Sequence, residues 1–298
     1  MTRRQELERH RQGLADIREI MSAMKTLAQM ESHKLVPLLA AQEAQLAAIT
    51  QVAADFLGFH SDCLPLAKGT TPVLLLLGTE RGFCGDLNQA LVRRLETLAP
   101  PPLLVAVGRR LKGLVAGRPE LLVALDGASV AEEVPVVLEK LVPALAALQM
   151  ERGPLALTAL FPGCEAPLAL LPPFEALRGA KAAFAYPPIL QVPPPQFLLE
   201  LTEQYLFAAL NALLYQGLMA ENHNRVTHLD GAVRFLDQRA EELGRRCNAL
   251  RQEEIIEEIE VILLSAASLE EAMVGREKPA EEGAHVPGST GPSGGHLG

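Results

Sequence analysis

The sequence predicts an α/β protein with long helices: an antiparallel coiled coil of N- and C-terminal helices joined to a central, Rossmann-like, mainly parallel sheet domain. Three observations carry this. Residues 1–58 and 197–275 are helical in period and almost free of proline, with apolar residues gathered on one stripe of each. Residues 70–195 change texture to short aliphatic runs separated by Gly and Pro, alternating with helix-like stretches. The C-terminal segment also carries a sustained a/d heptad, which requires a partner helix, and the N-terminal segment is the obvious one.

In chain order, the N-terminal helix is marked by Leu7, Leu14, Ile17, Met21, Met24, Ala28, Leu35 and Leu38, spaced mostly by three and four after the first step. Pro37 is expected to kink it, because a mid-helix proline removes a hydrogen bond and crowds the preceding turn. In the central domain Val73–Leu77, Leu103–Val107, Leu121–Leu125 and Leu155–Leu160 have strand length and turn residues around them. Helix-like stretches lie between them at Asp86–Leu98, Arg109–Ala116 and Val130–Met150, the last with Pro135 and Pro143 blurring its bounds. Strands apolar on both faces, alternating with helices, imply a parallel sheet covered on both sides. Pro187 to Pro195 closes the domain.

The C-terminal heptad runs Val226, Leu229, Val233, Leu236, Ala240, Leu243, Cys247, Leu250. It then jumps five to Ile255 and resumes at Ile259, Ile262, Ala266, Leu269 and Met273. A helix continuous from about Ala208 would reach on the order of 100 Å at about 1.5 Å per residue. It must therefore project from the globular part, with Leu14, Ile17, Met21, Met24 and Ala28 facing its apolar positions. The early N-terminal stripe is expected beside Ile255 to Ala266. Residues 276–298, rich in Gly, Pro and Ser, read as a disordered tail, and its two histidines make no metal site.

The 298 residues are 49% hydrophobic, enough for a sizeable core, which excludes wholesale disorder. A net charge of -9 with 4% aromatics and no Trp argues against nucleic-acid binding, which needs a basic face and stacking rings. The longest aliphatic run, Val73 to Leu77, is far short of the roughly 20 residues of a spanning helix, so no transmembrane segment is expected. Four scattered cysteines without a C-x-x-C pair exclude a zinc or dithiol site and fit a reducing compartment. The start, M-T-R-R-Q-E-L-E-R-H-R-Q, has no apolar h-region, and its acids count against a transit peptide. The expected location is cytoplasmic, or attached to a membrane from that side.

An α/β sheet invites a nucleotide site, yet no G-x-x-x-x-G-K-[ST] or G-x-G-x-x-G is present. The nearest candidate, Gly78 to Asn88 after the first strand, reads as a tight turn with Asp86 near a helix start, because neither a Lys nor a metal-binding Ser/Thr follows. Cys84 lacks a recognisable His base and reads as a buried or turn thiol. His223 and His228, five apart, read as solvated helix residues. Glu253, Glu254, Glu257, Glu258 and Glu260 are the densest charge cluster, and Glu253 to Glu271 holds seven acids and no Lys or Arg. That is a negative field suited to steering a partner. Nothing forms an enzyme active site, and no cofactor or metal is expected.

Three segments resemble the gamma subunit of F-type ATP synthases, the central rotor shaft. Ile20-Met-Ser-Ala-Met24-Lys-Thr-Leu-Ala28 is similar to the family's I-T-K-A-M-x-M-V-A, and Gly82-Phe-Cys84-Gly85-Asp-Leu-Asn88 to its G-L-C-G-x-x-N. Asn248-Ala-Leu-Arg251-Gln252-Glu-Glu-Ile255-Ile-Glu-Glu258-Ile259 is similar to N-x-A-R-Q-x-x-I-T-x-E-I. Glu221 and Arg225 fit S-E-x-x-x-R-M, and Tyr205-Leu206 fits a Y-L beyond the α/β domain. The motifs are short, but their order and spacing cover nearly the whole chain before the tail. Departures mark a divergent branch, such as a variant rotary ATPase: Ser22 stands for Lys, Ile256 for Thr, Val261 for Glu, Ser265 for Gly, and Phe207 for an acid. The redox-regulatory cysteine pair of plant plastid gamma subunits is not visible.

The resemblance implies a non-catalytic subunit. Its coiled coil would sit inside a hexamer of catalytic and non-catalytic subunits, its α/β domain on a membrane rotor ring, with an epsilon-like subunit as a further partner. ATP and Mg²⁺ would bind the hexamer. The location implied is peripheral, on the cytoplasmic face of a prokaryotic cell membrane. Met24, Arg251, Gln252 and Glu258 match family positions at the subunit interface. Arg offers a planar fork for a carboxylate, and Gln donates and accepts beside it. Two rivals stand beside this reading: a coiled-coil scaffold with an α/β recognition domain, and a degenerate nucleotide-binding signalling module.

Overall fold

In the computed structural model, residues 3–64, 69–179 and 184–274 are described. The expected tail, 276–298, lies outside them. Helix α1 spans Arg3–Leu57 and α5 spans Pro194–Val274. Between them run β1 (Thr71–Leu77), α2 (Leu87–Glu96), β2 (Leu103–Val107), α3 (Arg109–Val115), β3 (Leu121–Leu125), α4 (Val134–Arg152), β4 (Leu155–Leu160) and β5 (Leu168–Ala169). Contacts divide the chain into two units: Gly13–Arg239, and Met1–Gln12 together with Ala240–Gly298.

In the larger unit the sheet has the order β3-β2-β1-β4-β5. The first four strands are parallel, and β5 pairs antiparallel with β4 as a two-residue edge. Alternation along the strands sends side chains to two cores. Val73, Leu75, Leu77, Val105 and Leu157 pack against α4, Leu35 of α1, and Leu210, Leu213 and Leu218 of α5. Leu74, Leu76, Leu104 and Ala106 pack on the other face against Leu91 and Leu95 of α2 and Leu111 and Val115 of α3. A third cluster around Phe56, Leu57, Phe174 and Leu198 joins the end of α1 to the start of α5.

Several expectations are corrected here. The helix α1 continues unbroken through Pro37. Leu38 is exposed, and Leu35 and Leu39, four apart and so on one face of the helix, take the core-facing positions. Ile17 is also exposed, since on this stretch only one side of α1 is covered. The helix α4 accommodates both prolines: Pro135 falls in its first turn, where its missing N–H costs nothing, and Pro143 lies inside. The helix α5 starts at Pro194, ahead of the 197 expected, for the same reason.

The two long helices run antiparallel in the larger unit, with Arg18 Nε 2.7 Å from Asp237 and Lys25 Nζ 2.9 Å from Asp230. Met21 and Met24 fall between these rungs, at the level of residues 230–237. The heptad residues Leu229 and Leu236 are buried there. In the smaller unit Arg4 pairs with Glu254 at 3.0 Å, and Leu243 and Cys247 are buried. The expected placement of the early N-terminal stripe beside Ile255 to Ala266 is therefore overturned. Arg4 already stands at Glu254, and from Ile255 onward the heptad positions Ile255, Ile259 and Ile262 are exposed. A heptad marks an apolar seam but carries no information on where its cover ends.

Among the described residues one helix, α5, is long and apolar enough to cross a membrane, with an 18-residue window of mean hydropathy 1.2. Its early apolar residues Leu198, Leu210, Leu213 and Leu214 are buried in the cores of this chain.

Candidate functional site

The C-terminal ends of β1, β2 and β3 each lead into a glycine, Gly78, Gly108 and Gly127, and the three backbones converge. A Cβ on Gly78 would meet Leu111 Cβ at 2.3 Å, and one on Gly108, held at φ +118°, would meet the Gly78 backbone at 2.8 Å. Only glycine permits that approach and that dihedral. After Gly78 the chain is fixed by Asn88 at the start of α2, whose amide accepts from Thr79 N (3.0 Å) and donates to Thr79 Oγ1 (2.8 Å). Asp86 does not cap α2 with its side chain but pairs with Arg93, which lowers its carboxyl.

The helix α5 crosses this edge and presents Glu221, Asn222 and Arg225, all buried. The Glu221 carboxylate accepts the backbone N–H of Glu80 at 3.0 Å and of Arg81 at 3.1 Å, and it pairs with Arg225 one turn along. The Arg225 guanidinium also donates to the Gly82 carbonyl (3.2 Å) and to Asn222 Oδ1 (2.7 Å). One step into the loop, the buried Glu80 carboxylate accepts from Arg109 N and Gly127 N, both 2.8 Å, and from Arg109 Nε at 3.0 Å. From α1, Glu31 accepts Ala131 N at 2.7 Å. Two carboxylates in series thus tie α5 to all three strand ends. Burial pushes the Glu221 carboxyl upward, against the pull of Arg225 and the two N–H groups. Removing one partner of such a buried pair costs about 3–5 kcal/mol, because the other charge is left uncompensated.

The same arrangement fixes the surroundings of the glycine-rich loop. Its first two N–H groups after Thr79, those of Glu80 and Arg81, are taken up by Glu221. Cys84 is buried, its thiol pushed up to about 11 by desolvation, and its Sγ donates to the Gly82 carbonyl at 3.2 Å. His223 and His228 are exposed on α5. Among the described residues no group of His, Cys, Asp and Glu is placed to hold a metal ion, and all four cysteines are free thiols.

The residues matched to the subunit interface fall in both units. Arg251, Gln252 and Glu258 are exposed on α5 in the smaller unit. Glu254, beside them on the same helix, pairs with Arg4. Met24 belongs to the larger unit and is half-buried, lining a cleft with Arg81, Phe83, Asn222 and Arg225. Sequence reasoning gave Glu221 and Arg225 no task and passed over Glu80. The one local signal was a Glu and an Arg four apart in a helix; the glycine-rich loop that they hold lies 140 residues away in sequence, so the fold alone brings them together.

The family model described as ATP synthase matches residues 3–269. No curated protein matches the sequence. Among solved structures, the chain is similar to one in the Euglena gracilis mitochondrial ATP synthase OSCP/F1/c-ring assembly in rotational state 3. The identity is 16%, the coverage 95% of this chain and 99% of that one, and the TM-score 0.56. It is also similar to a chain of the Euglena gracilis rotor in rotational state 1, at 16% identity, 85% and 98% coverage and a TM-score of 0.52. With the family model spanning nearly the whole chain and two long terminal helices flanking a mainly parallel sheet, the protein belongs to the ATP synthase family as its gamma-type, non-catalytic central stalk subunit.

Proposed function

We propose that this chain is the shaft that couples ion-driven rotation of a membrane ring to conformational change in a catalytic hexamer, with Arg251, Gln252 and Glu258 on α5 and Met24 on α1 as its contacts to that hexamer. The observation that carries this is the exposed end of α5. Ile255, Ile256, Ile259, Val261, Ile262, Leu263 and Leu264 are 46–71% exposed and cover every side of the helix. The acids Glu257, Glu258 and Glu260 stand among them, yet so many large apolar side chains exposed on one helix end mark a surface that a partner covers. A ring of subunits with an apolar bore fits that need, and the exposed Arg251 and Gln252 at its entry suit polar groups on the rim. The α/β domain would rest on the membrane ring with an epsilon-like subunit beside it. The location proposed is the cytoplasmic face of a prokaryotic membrane; the scattered free thiols fit a reducing compartment of that kind.

The test is Arg251→Ala with Gln252→Ala in the assembled complex. The melting temperature of the isolated chain should stay nearly unchanged, because neither side chain is buried. ATP turnover or its coupling to ion movement should fall. Wild-type turnover and coupling in the double variant would remove these two residues from the interface.

A further inference from the structure

The tie between α5 and the sheet has the anatomy of an anion site that carries its own ligand. In doubly wound sheets, ligands bind outside the carboxyl ends of the strands where strand order reverses. Here β2 and β3 lie to one side of β1 and β4 to the other, so the reversal falls at the end of β1. There, two successive backbone N–H groups, of Glu80 and Arg81, converge on one carboxylate, and Arg225, 5% exposed, closes the seat. Convergent N–H groups with a guanidinium are what a phosphate or substrate carboxylate would receive. The occupant is Glu221. Below it the Glu80 carboxylate repeats the pattern on the N–H groups of Arg109 and Gly127, so a continuous line of hydrogen bonds joins Glu221 to the ends of β2 and β3.

Apolar packing alone would leave the rotation of α5 against the sheet weakly specified, since it is non-directional. Hydrogen bonds weaken steeply with angle and so fix rotation. We propose that Glu221 is a positioning residue, a built-in carboxylate ligand seated in an anion nest, and that this seat transmits torque between α5 and the α/β domain. The torque role rests on the shaft reading above; the nest does not.

Two arms separate these. In the first, the full chain carrying Glu221→Ala is melted with and without sodium formate, a free carboxylate of the size removed, with sodium chloride at equal ionic strength as the control. The variant should melt below wild type, and formate, but not chloride, should raise its melting temperature by mass action while leaving wild type unmoved. No response to formate overturns the nest. In the second arm, complexes assembled with Glu221→Ala or the milder Glu221→Gln are assayed for ATP hydrolysis and for ions moved per ATP. Hydrolysis should persist while ions moved per ATP fall about fivefold or more, and formate should restore part of the loss in Glu221→Ala. Unchanged coupling in both variants overturns the torque role. A wild-type chain that fails to co-purify with an ATP-hydrolysing complex overturns the shaft reading and leaves the melting result standing.

Discussion

Cys84 illustrates how residue identity and residue chemistry part company. It stands in a glycine-rich loop after a strand, where an activated thiol would be well placed, yet burial pushes its thiol from the ordinary 9.0 up to about 11. At mildly alkaline pH its thiolate fraction is about 100-fold below that of an ordinary thiol. Alkylation should therefore reach the half-exposed Cys63 and Cys164 first, with Cys84 reacting about 100-fold more slowly than a free thiol. Peptide mass spectrometry over a time course reads this directly, and Cys84 appearing among the first labelled sites would contradict it. Glu80 shows the opposite case. In sequence it is an ordinary loop acid, and only the meeting of three strand ends turns it into a buried acceptor of two backbone N–H groups.

At the scale of elements, the strands were legible because each parallel strand is a short aliphatic run bounded by Gly, Pro or charged residues. The observed β2, β3 and β4 have the bounds that pattern implies. The edge strand β5 was not legible, since two residues carry no period and its pairing is set by the free edge of β4. The long helices were legible as period and heptad, but their register was not. Register rests on pairs such as Lys25–Asp230, and the Lys25 ammonium, with Arg234, lowers the Asp230 carboxyl below its ordinary 3.8. A carboxyl depressed in the folded state stabilises the fold above 3.8 and loses that contribution as pH falls through the folded value. Asp230→Asn should therefore melt below wild type at neutral pH. The gap should close as pH drops beneath the Asp230 titration, as calorimetry in a pH series would show. A gap independent of pH would mean that the pair does not stabilise the register.

For the molecule as a whole, the exposed apolar end of α5 and the net charge of -9 act in opposite senses on the free chain. Charge keeps it dispersed, while the apolar end favours self-association. Replacing Ile259 and Ile262 by Lys should make the isolated chain less prone to associate, as light scattering would show, with its melting temperature nearly unchanged. The same pair should abolish co-purification with the ATP-hydrolysing subunits. Retention of the complex by that variant would mean that the end of α5 is not enclosed by them.

The sequence by itself determined the architecture and the family: the alternation of aliphatic runs and helices, the heptad, and short motifs in the right order. It also excluded a phosphate loop, because that chemistry needs particular residues at fixed spacing. The tertiary structure decided what fills the place of that chemistry. Glu80 and Glu221 are 141 residues apart, and no local pattern links them. Their roles exist only once α5 crosses the strand ends and burial in low dielectric gives each carboxylate a partner it must keep.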